Sequence, residues 1–256
     1  MPGSNDQQPI AAETLPPPPV LDSLGASSVF LDFDGTLVEI APQPDAIEVA
    51  AGLADTLRRL RDKLEGRLGI VSGRSLEDLT NYLDIEDIAL AGSHGGEFRA
   101  AGSTVIEALA TPVPERATTA LRELTESRRG LRIEPKPFSV ALHYRNGPEF
   151  EGEVLSLARE LADGMQLVLK RGKMVAELLT PGADKGSAVR KFMDMEPFSG
   201  TMPLFLGDDV TDEDAFRAVT DLSGGGILVG PQRETHAKWR LGSVDRVHDW
   251  LRAASA

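Results

Sequence analysis

The chain has 256 residues, of which 26% are charged, with a net charge of -13 and no cysteine. That length allows one or two domains with a proper core. The acidic balance argues against nonspecific binding to nucleic acid or to an anionic membrane, and the missing thiols exclude disulfides, cysteine nucleophiles and cysteine metal sites. Four histidines offer little for a multi-histidine zinc site. No run reaches transmembrane length and the first residues lack a basic-then-apolar leader, so the expected location is the cytoplasm.

Residues 1–24 are polar and then proline-rich, ending in Pro16-Pro17-Pro18-Pro19. They have little to bury and are expected to be disordered or extended. Val29 to Leu31 is an apolar run that reads as a buried strand, followed by Asp32-Phe33-Asp34-Gly35-Thr36-Leu37. Alternation along a strand puts Asp32 and Asp34 on one side, where they repel, and a bound cation would stabilise them. The plainer reading of the same residues is a tight Asp-Gly turn. A loop with Pro42 and Pro44 leads to a helix whose Leu53, Leu57, Leu60 and Leu64 form one apolar stripe, ended by Gly66. Leu68 to Val71 is a second strand, closing at Ser72-Gly73-Arg74. Ser75 then caps a helix, with Asp78 at the reciprocal position. Ile88 to Ala91 is a third strand, followed by Gly92-Ser93-His94-Gly95.

The rhythm changes near residue 105. Helix, two strands, helix and two strands follow: Glu115 to Arg128, Leu131 to Glu134, Ser139 to Tyr144, Glu149 to Ala162, Gln166 to Lys170 and Met174 to Leu178. This reads as an inserted α+β unit over residues 105–180, within a core of 25–104 and 181–256. The first rhythm then resumes with a helix from Lys185 to Met193. A strand from Pro203 to Leu206 closes at Gly207-Asp208-Asp209. Thr211 is the expected cap of the next helix, Gly226 to Gly230 the last strand, and Ser243 to Ala254 a terminal helix. The fold class is α/β, a doubly wound parallel sheet with a smaller inserted domain.

Three strands end in polar residues: Asp32 and Asp34, Ser72, and Asp208 with Asp209. Open parallel sheets bind ligands at that edge. Oxygen donors without cysteine favour a hard divalent ion, Mg²⁺ in the ordinary case. A carboxylate beside it can attack phosphorus, and a second can move the proton. Thr36, Ser72 and Lys185 are available to neutralise phosphoryl oxygens. A P-loop, a Gly-x-Gly-x-x-Gly dinucleotide turn and a Gly-x-Ser-x-Gly elbow are all absent.

These residues resemble the four motifs of the haloacid dehalogenase superfamily: Asp32 to Leu37, Ser72, Lys185, and Gly207-Asp208-Asp209. The resemblance implies that Asp32 is the nucleophile and Asp34 the acid/base. It implies Mg²⁺ held by the Asp32 side chain, the Asp34 backbone carbonyl and the Asp208 carboxylate, with Asp209 and Asp212 orienting metal-bound water. Ser72-Gly73-Arg74, Ser93-His94-Gly95, Ser139 to Arg145, Glu177 with Pro181, Asp184-Lys185-Gly186 and Asp208 to Glu213 are similar to the trehalose-6-phosphate phosphatase family. That similarity implies hydrolysis of trehalose 6-phosphate, with the insertion as a cap that closes over the sugar and excludes bulk water. Thr36, Arg74, His94, Lys136, His143, Arg145 and Glu177 are the expected substrate contacts, with Lys173 beside them; Lys136 and Glu177 are favoured among the cap residues. The expected partner is a small phosphosugar, with no nucleic acid and no membrane, acting on a monomer. Sucrose 6-phosphate, a phosphosugar mutase reaction and a phospho-accepting signalling module are the rival readings.

Overall fold

The computed structural model describes residues 14–21, 26–41, 46–172, 174–182 and 184–255. The parallel rhythm of the sequence builds one large sheet. β1 (Ser27–Leu31), α1 (Leu53–Lys63), β2 (Leu68–Val71), α2 (Leu76–Tyr82) and β3 (Ala89–Gly92) come first. Two short strands follow, β4 (Glu97–Arg99) and β5 (Glu107–Ala108). Then come α3 (Glu115–Ser127), β6 (Arg132–Pro135), β7 (Ser139–His143), α4 (Glu151–Met165), β8 (Val168–Gly172) and β9 (Val175–Leu179). The chain closes with α5 (Lys185–Met193), β10 (Met202–Gly207), α6 (Glu213–Asp221), β11 (Gly225–Val229), β12 (Trp239–Leu241) and α7 (Val244–Ala254). Among the described residues no helix is long and apolar enough to cross a membrane.

The large sheet has the order β12-β11-β10-β1-β2-β3-β4-β5. The first six of these strands are parallel, and β4 and β5 add an antiparallel edge. Alternation along β1 feeds a core on each face. Val29 and Leu31 join the stripe Leu53, Leu57 and Leu60 of α1 and Leu64 just past its end, with residues of α2 and α7. Phe30 points the other way, to Phe192 of α5 and Phe216 of α6. The chain winds from β1 toward β2 and β3, then returns on the opposite side of β1 at β10. The crevice at this reversal lies at the carboxyl ends of β1 and β10, where Leu31 is in register with Leu206.

The smaller sheet, β6-β7-β9-β8, is antiparallel throughout. Val140, Leu142, Ala176 and Leu178 turn to one face and pack under α3 and α4. The other face carries Glu134, Ser139, His143, Lys170 and Glu177 by the period of two. Lys170 on that face donates to Asp214 of α6 at 2.6 Å, bridging the small unit to the large sheet's flank. The hairpin tip also docks there: Phe138 packs so closely over Gly96 that a Cβ at Gly96 would lie 2.3 Å from the ring.

Several expectations need correction. Residues 14–21 of the proline-rich segment, expected to be disordered or extended, form no α-helix or strand and bury only Leu21, yet two of their carbonyls accept hydrogen bonds. The outermost strand β12 has unpaired backbone groups, and Arg240 donates its amide to the Pro16 carbonyl at 2.9 Å. Trp250 donates to the Pro19 carbonyl at 3.3 Å, and Leu21 is buried in the core. Residues 1–13 and 22–25, Pro42, Pro44 and Lys173 lie outside the described residues. β5 still belongs to the large sheet, so the chain leaves that sheet after residue 108 and not at 105. Gly226 to Gly230 is not the last strand, because β12 pairs parallel beside it. Thr211 is not a helix cap. Asp209 caps a 3₁₀ turn over residues 210–212 instead, and Asp212 returns the bond to the Asp209 amide.

Candidate active site

β1 ends one residue before Asp32, so strict alternation stops there. Phe33 is buried in the core, and Leu37 donates its amide to the Phe33 carbonyl to close a tight turn. Gly35 allows that turn at a φ of 77°, and a Cβ on it would lie 2.2 Å from the Asp208 carboxylate. The turn separates the two acids. Asp32 points inward and is 4% exposed, whereas Asp34 turns to the neighbouring loop. There Arg74 grips it with two bonds, Nε to Oδ2 at 2.7 Å and Nη2 to Oδ1 at 2.8 Å. The expected confrontation of Asp32 with Asp34 is therefore replaced by another one.

Asp32 faces Asp208 and Asp212, whose ligand oxygens all lie within 4.8 Å of one another and of its own. Lys185 sits among them. Asp184 caps α5 by accepting from the Ser187 amide at 2.8 Å, which fixes Lys185 as the first helical residue. Its Nζ lies 2.7 Å from Asp32 Oδ1 and 2.6 Å from Asp212 Oδ1. Burial pulls the lysine pKa down, but the two carboxylates overcome this and hold it above the ordinary value. One cation then serves three acids. Burial and the Asp212 charge, against the pull of Lys185, push the Asp32 carboxyl well up. Burial and Asp212 push Asp208 up to about 7.

This electrostatic deficit tests the cation reading. Asp208 Oδ1 and Thr36 Oγ1 are buried without a hydrogen-bond partner among the described residues. Such atoms are rare unless a ligand completes them. The donors are oxygens only, so the residues fit a small hard cation such as Mg²⁺. Asp212, expected only to orient water, is wholly buried within the acid group. Asp209 is exposed and caps the turn through the Val210 amide. Ser72 Oγ accepts from the Arg74 amide at 3.1 Å and keeps its own proton to donate.

His94 follows Ser93 through two left-handed residues, with φ of 50° and 57°. Its amide donates to the Ser72 carbonyl at 2.9 Å. The ring packs over Gly73, where a Cβ would lie 2.6 Å from it. Burial, then the charges of Lys185, Lys136 and Lys170, lowers its pKa to about 3 from 6.5. A histidine that stays neutral when folded costs stability once the unfolded chain takes up a proton. Stability is therefore unaffected above pH 6.5 and falls as pH drops toward 3, by at most about 1.4 kcal/mol per pH unit. The ring keeps some exposed surface, which makes that slope a ceiling. His94→Gln should flatten this part of the stability profile in urea titrations; an unchanged slope between pH 6 and 4 would remove His94 as its source.

A cleft of about 620 Å³ opens beside this centre, lined by Asp34, Arg74 and His94 on the large unit and by Glu134 and Lys136 on the small one. Lys136 Nζ is 3.6 Å from Glu134 and 3.7 Å from Glu177, whose carboxylate also accepts from Ser139 at 2.6 Å. The structure thus brings Lys136 and Glu177 together at the hairpin end that meets the large sheet. His143 lies toward the far end of β7, hydrogen bonded to Glu134 at 2.8 Å. Arg145 lies two residues beyond that strand, is exposed, and is not among the residues that line the cleft. Glu134 was missed, although it precedes Lys136 by two and shares its face. Arg233 was missed too. It donates to the Asp209 carbonyl at 2.8 Å and pairs with Glu213, holding the acidic loop in place.

The chain matches the family model for trehalose-phosphatase over residues 30–245. It is 37% identical over 224 residues to the trehalose-6-phosphate phosphatase of Escherichia coli strain K12, covering 87% of this chain and 84% of that one. A crystal structure of a trehalose-6-phosphate phosphatase related protein superimposes with a TM-score of 0.69 at 31% identity, covering 88% of this chain and 95% of the other. The Aspergillus fumigatus trehalose-6-phosphate phosphatase gives a TM-score of 0.72 at 26% identity, covering 94% and 98%.

Proposed function

The chain belongs to the trehalose-phosphatase family, phosphatases with the haloacid dehalogenase fold, and from that premise we propose that it hydrolyses trehalose 6-phosphate to trehalose and phosphate through an aspartyl-phosphate on Asp32. The observation that carries this reading is Lys185 Nζ lodged between Asp32 and Asp212 beside two buried, unpartnered oxygens of Thr36 and Asp208. Asp32 Oδ attacks phosphorus and the bond from phosphorus to the sugar O6 breaks. Asp34 gives that oxygen its proton, so trehalose leaves as the alcohol. Water then attacks the same phosphorus and Asp34 takes its proton. The bond to Asp32 breaks and phosphate leaves.

Lys185, Thr36 and Ser72 donate to the phosphoryl oxygens, where charge accumulates. Mg²⁺ would be held by the Asp32 and Asp208 carboxylates and the Asp34 carbonyl, with Asp212 alongside, and it supplies charge neutralisation at the phosphoryl group. Arg74 draws the Asp34 carboxylate toward the cleft wall. We read residues 109–180 as a cap whose open sheet face lies over the sugar, with Lys136, Glu177 and, from the large unit, His94 as contacts. The phosphosugar is the partner.

The test is a phosphate-release panel over trehalose 6-phosphate, sucrose 6-phosphate and glucose 6-phosphate, each with and without EDTA. Trehalose 6-phosphate should lead in kcat/KM, and EDTA should lower the rate at least about a hundredfold, with recovery on adding Mg²⁺. A rate indifferent to chelator would sink the metal assignment. Equal rates on all three esters would sink the substrate assignment.

A further inference from the structure

We propose that α2 forms the second wall of the sugar site, and that Glu77 and Asn81 on its outer face read the ring that carries no phosphate. This rests on the substrate reading above and extends it to residues that the family motifs do not include. Leu76 and Leu79 anchor α2 in the core. That leaves Glu77, Asp78 and Asn81 on the opposite side, since residues three and four apart share a helix face. All three line the 620 Å³ cleft, across from Glu134 and Lys136.

Their commitments differ. The Asp78 carboxylate accepts from Arg74 at 2.7 Å, so it belongs to the Asp34 clamp. Glu77 and Asn81 are exposed, and among the described residues neither side chain has a hydrogen bond or an ion pair. Both are thus free to bind within a cleft where Asp34, Arg74, Asp78, Glu134 and Lys136 already pair with one another or with neighbouring residues.

The placement suits a disaccharide. Ser72, Lys185 and Asp32 fix the phosphate end, and Ser75 starts α2 next to it. Asn81 lies six residues further, roughly 9 Å along the helix axis at 1.5 Å per residue. That is the reach of one more pyranose ring beyond the phosphorylated one. The far ring of trehalose 6-phosphate offers only hydroxyls. A carboxylate accepts from neighbouring hydroxyls, and a carboxamide both donates and accepts, so this pair matches such a ring without adding positive charge. Lys136, held between Pro135 and Pro137, faces them from the other wall.

The test compares kcat/KM for trehalose 6-phosphate and glucose 6-phosphate in the full chain, Glu77→Gln, Asn81→Ala and the double variant. The wild-type preference for the disaccharide should fall roughly tenfold in each single variant and roughly a hundredfold in the double, the scale of one lost hydrogen bond to hydroxyl per side chain. The loss should appear chiefly in KM. General damage to the fold cancels in the ratio, because both esters need the same phosphate end. A preference within about twofold of wild type would overturn the role of α2. A wild-type enzyme with no preference at all would instead overturn the substrate reading itself.

Discussion

Asp32→Asn should fold normally and turn over substrate at least about 10⁴-fold more slowly. The side chains are nearly isosteric, and the amide oxygen can still accept from Lys185, now 2.7 Å from Oδ1. What is lost is the charged lone pair that attacks phosphorus. Stability should hold or rise, because the variant removes one of three buried acids that share a single lysine. Circular dichroism and a melting curve check the first half of this expectation. Phosphate release checks the second, and mass spectrometry of the quenched wild-type enzyme should find phosphate on Asp32 alone. Turnover retained in the amide variant would dismiss Asp32 as the nucleophile and leave the acid cluster as a metal site only.

Lys185→Met should damage both activity and fold. Its ammonium lies between two carboxylates that are 4% and 0% exposed. Truncating one partner of such a buried group leaves uncompensated charge, at a cost of about 3–5 kcal/mol. The melting temperature of metal-free protein should therefore drop by many degrees. Two rescues follow from the same geometry. Mg²⁺ should restore part of the loss, since it brings positive charge to the same oxygens. Adding Asp32→Asn should also restore part of it, with a coupling of about 1–3 kcal/mol between the two positions. An additive double variant, or a Lys185→Met protein as stable as wild type, would mean that solvent reaches this pair freely.

Residues differ in how far the sequence alone placed them. Asp32, Ser72, Lys185 and Asp208 were legible because each ends or starts an element whose apolar pattern is strong, and a parallel sheet brings such ends to one edge. Asp212 was harder. Only the 3₁₀ turn capped by Asp209 folds it back against Lys185, and that turn has no periodicity to read. β4, β5 and β12 span two or three residues each, too few for alternation to emerge. The cap residues were harder to place for a different reason. Strand pairing between β6 and β7 follows from the pattern, but which end of the hairpin meets the large sheet depends on packing of Phe138 on Gly96, far apart in the chain. The proline-rich stretch was underrated because its value lies in carbonyls, which composition does not reveal, and which serve the open edge at Arg240.

The bridge from Lys170 to Asp214 has a practical consequence. It links β8 of the small unit to α6 of the large one, two positions distant in sequence and both partly exposed. The chain contains no cysteine. Thiols placed at these two positions would therefore be the only ones in the molecule, and a pair of spin labels or a dye pair could be attached there without background. Such a ruler would read the separation of the two units directly during a catalytic cycle, independent of phosphate release.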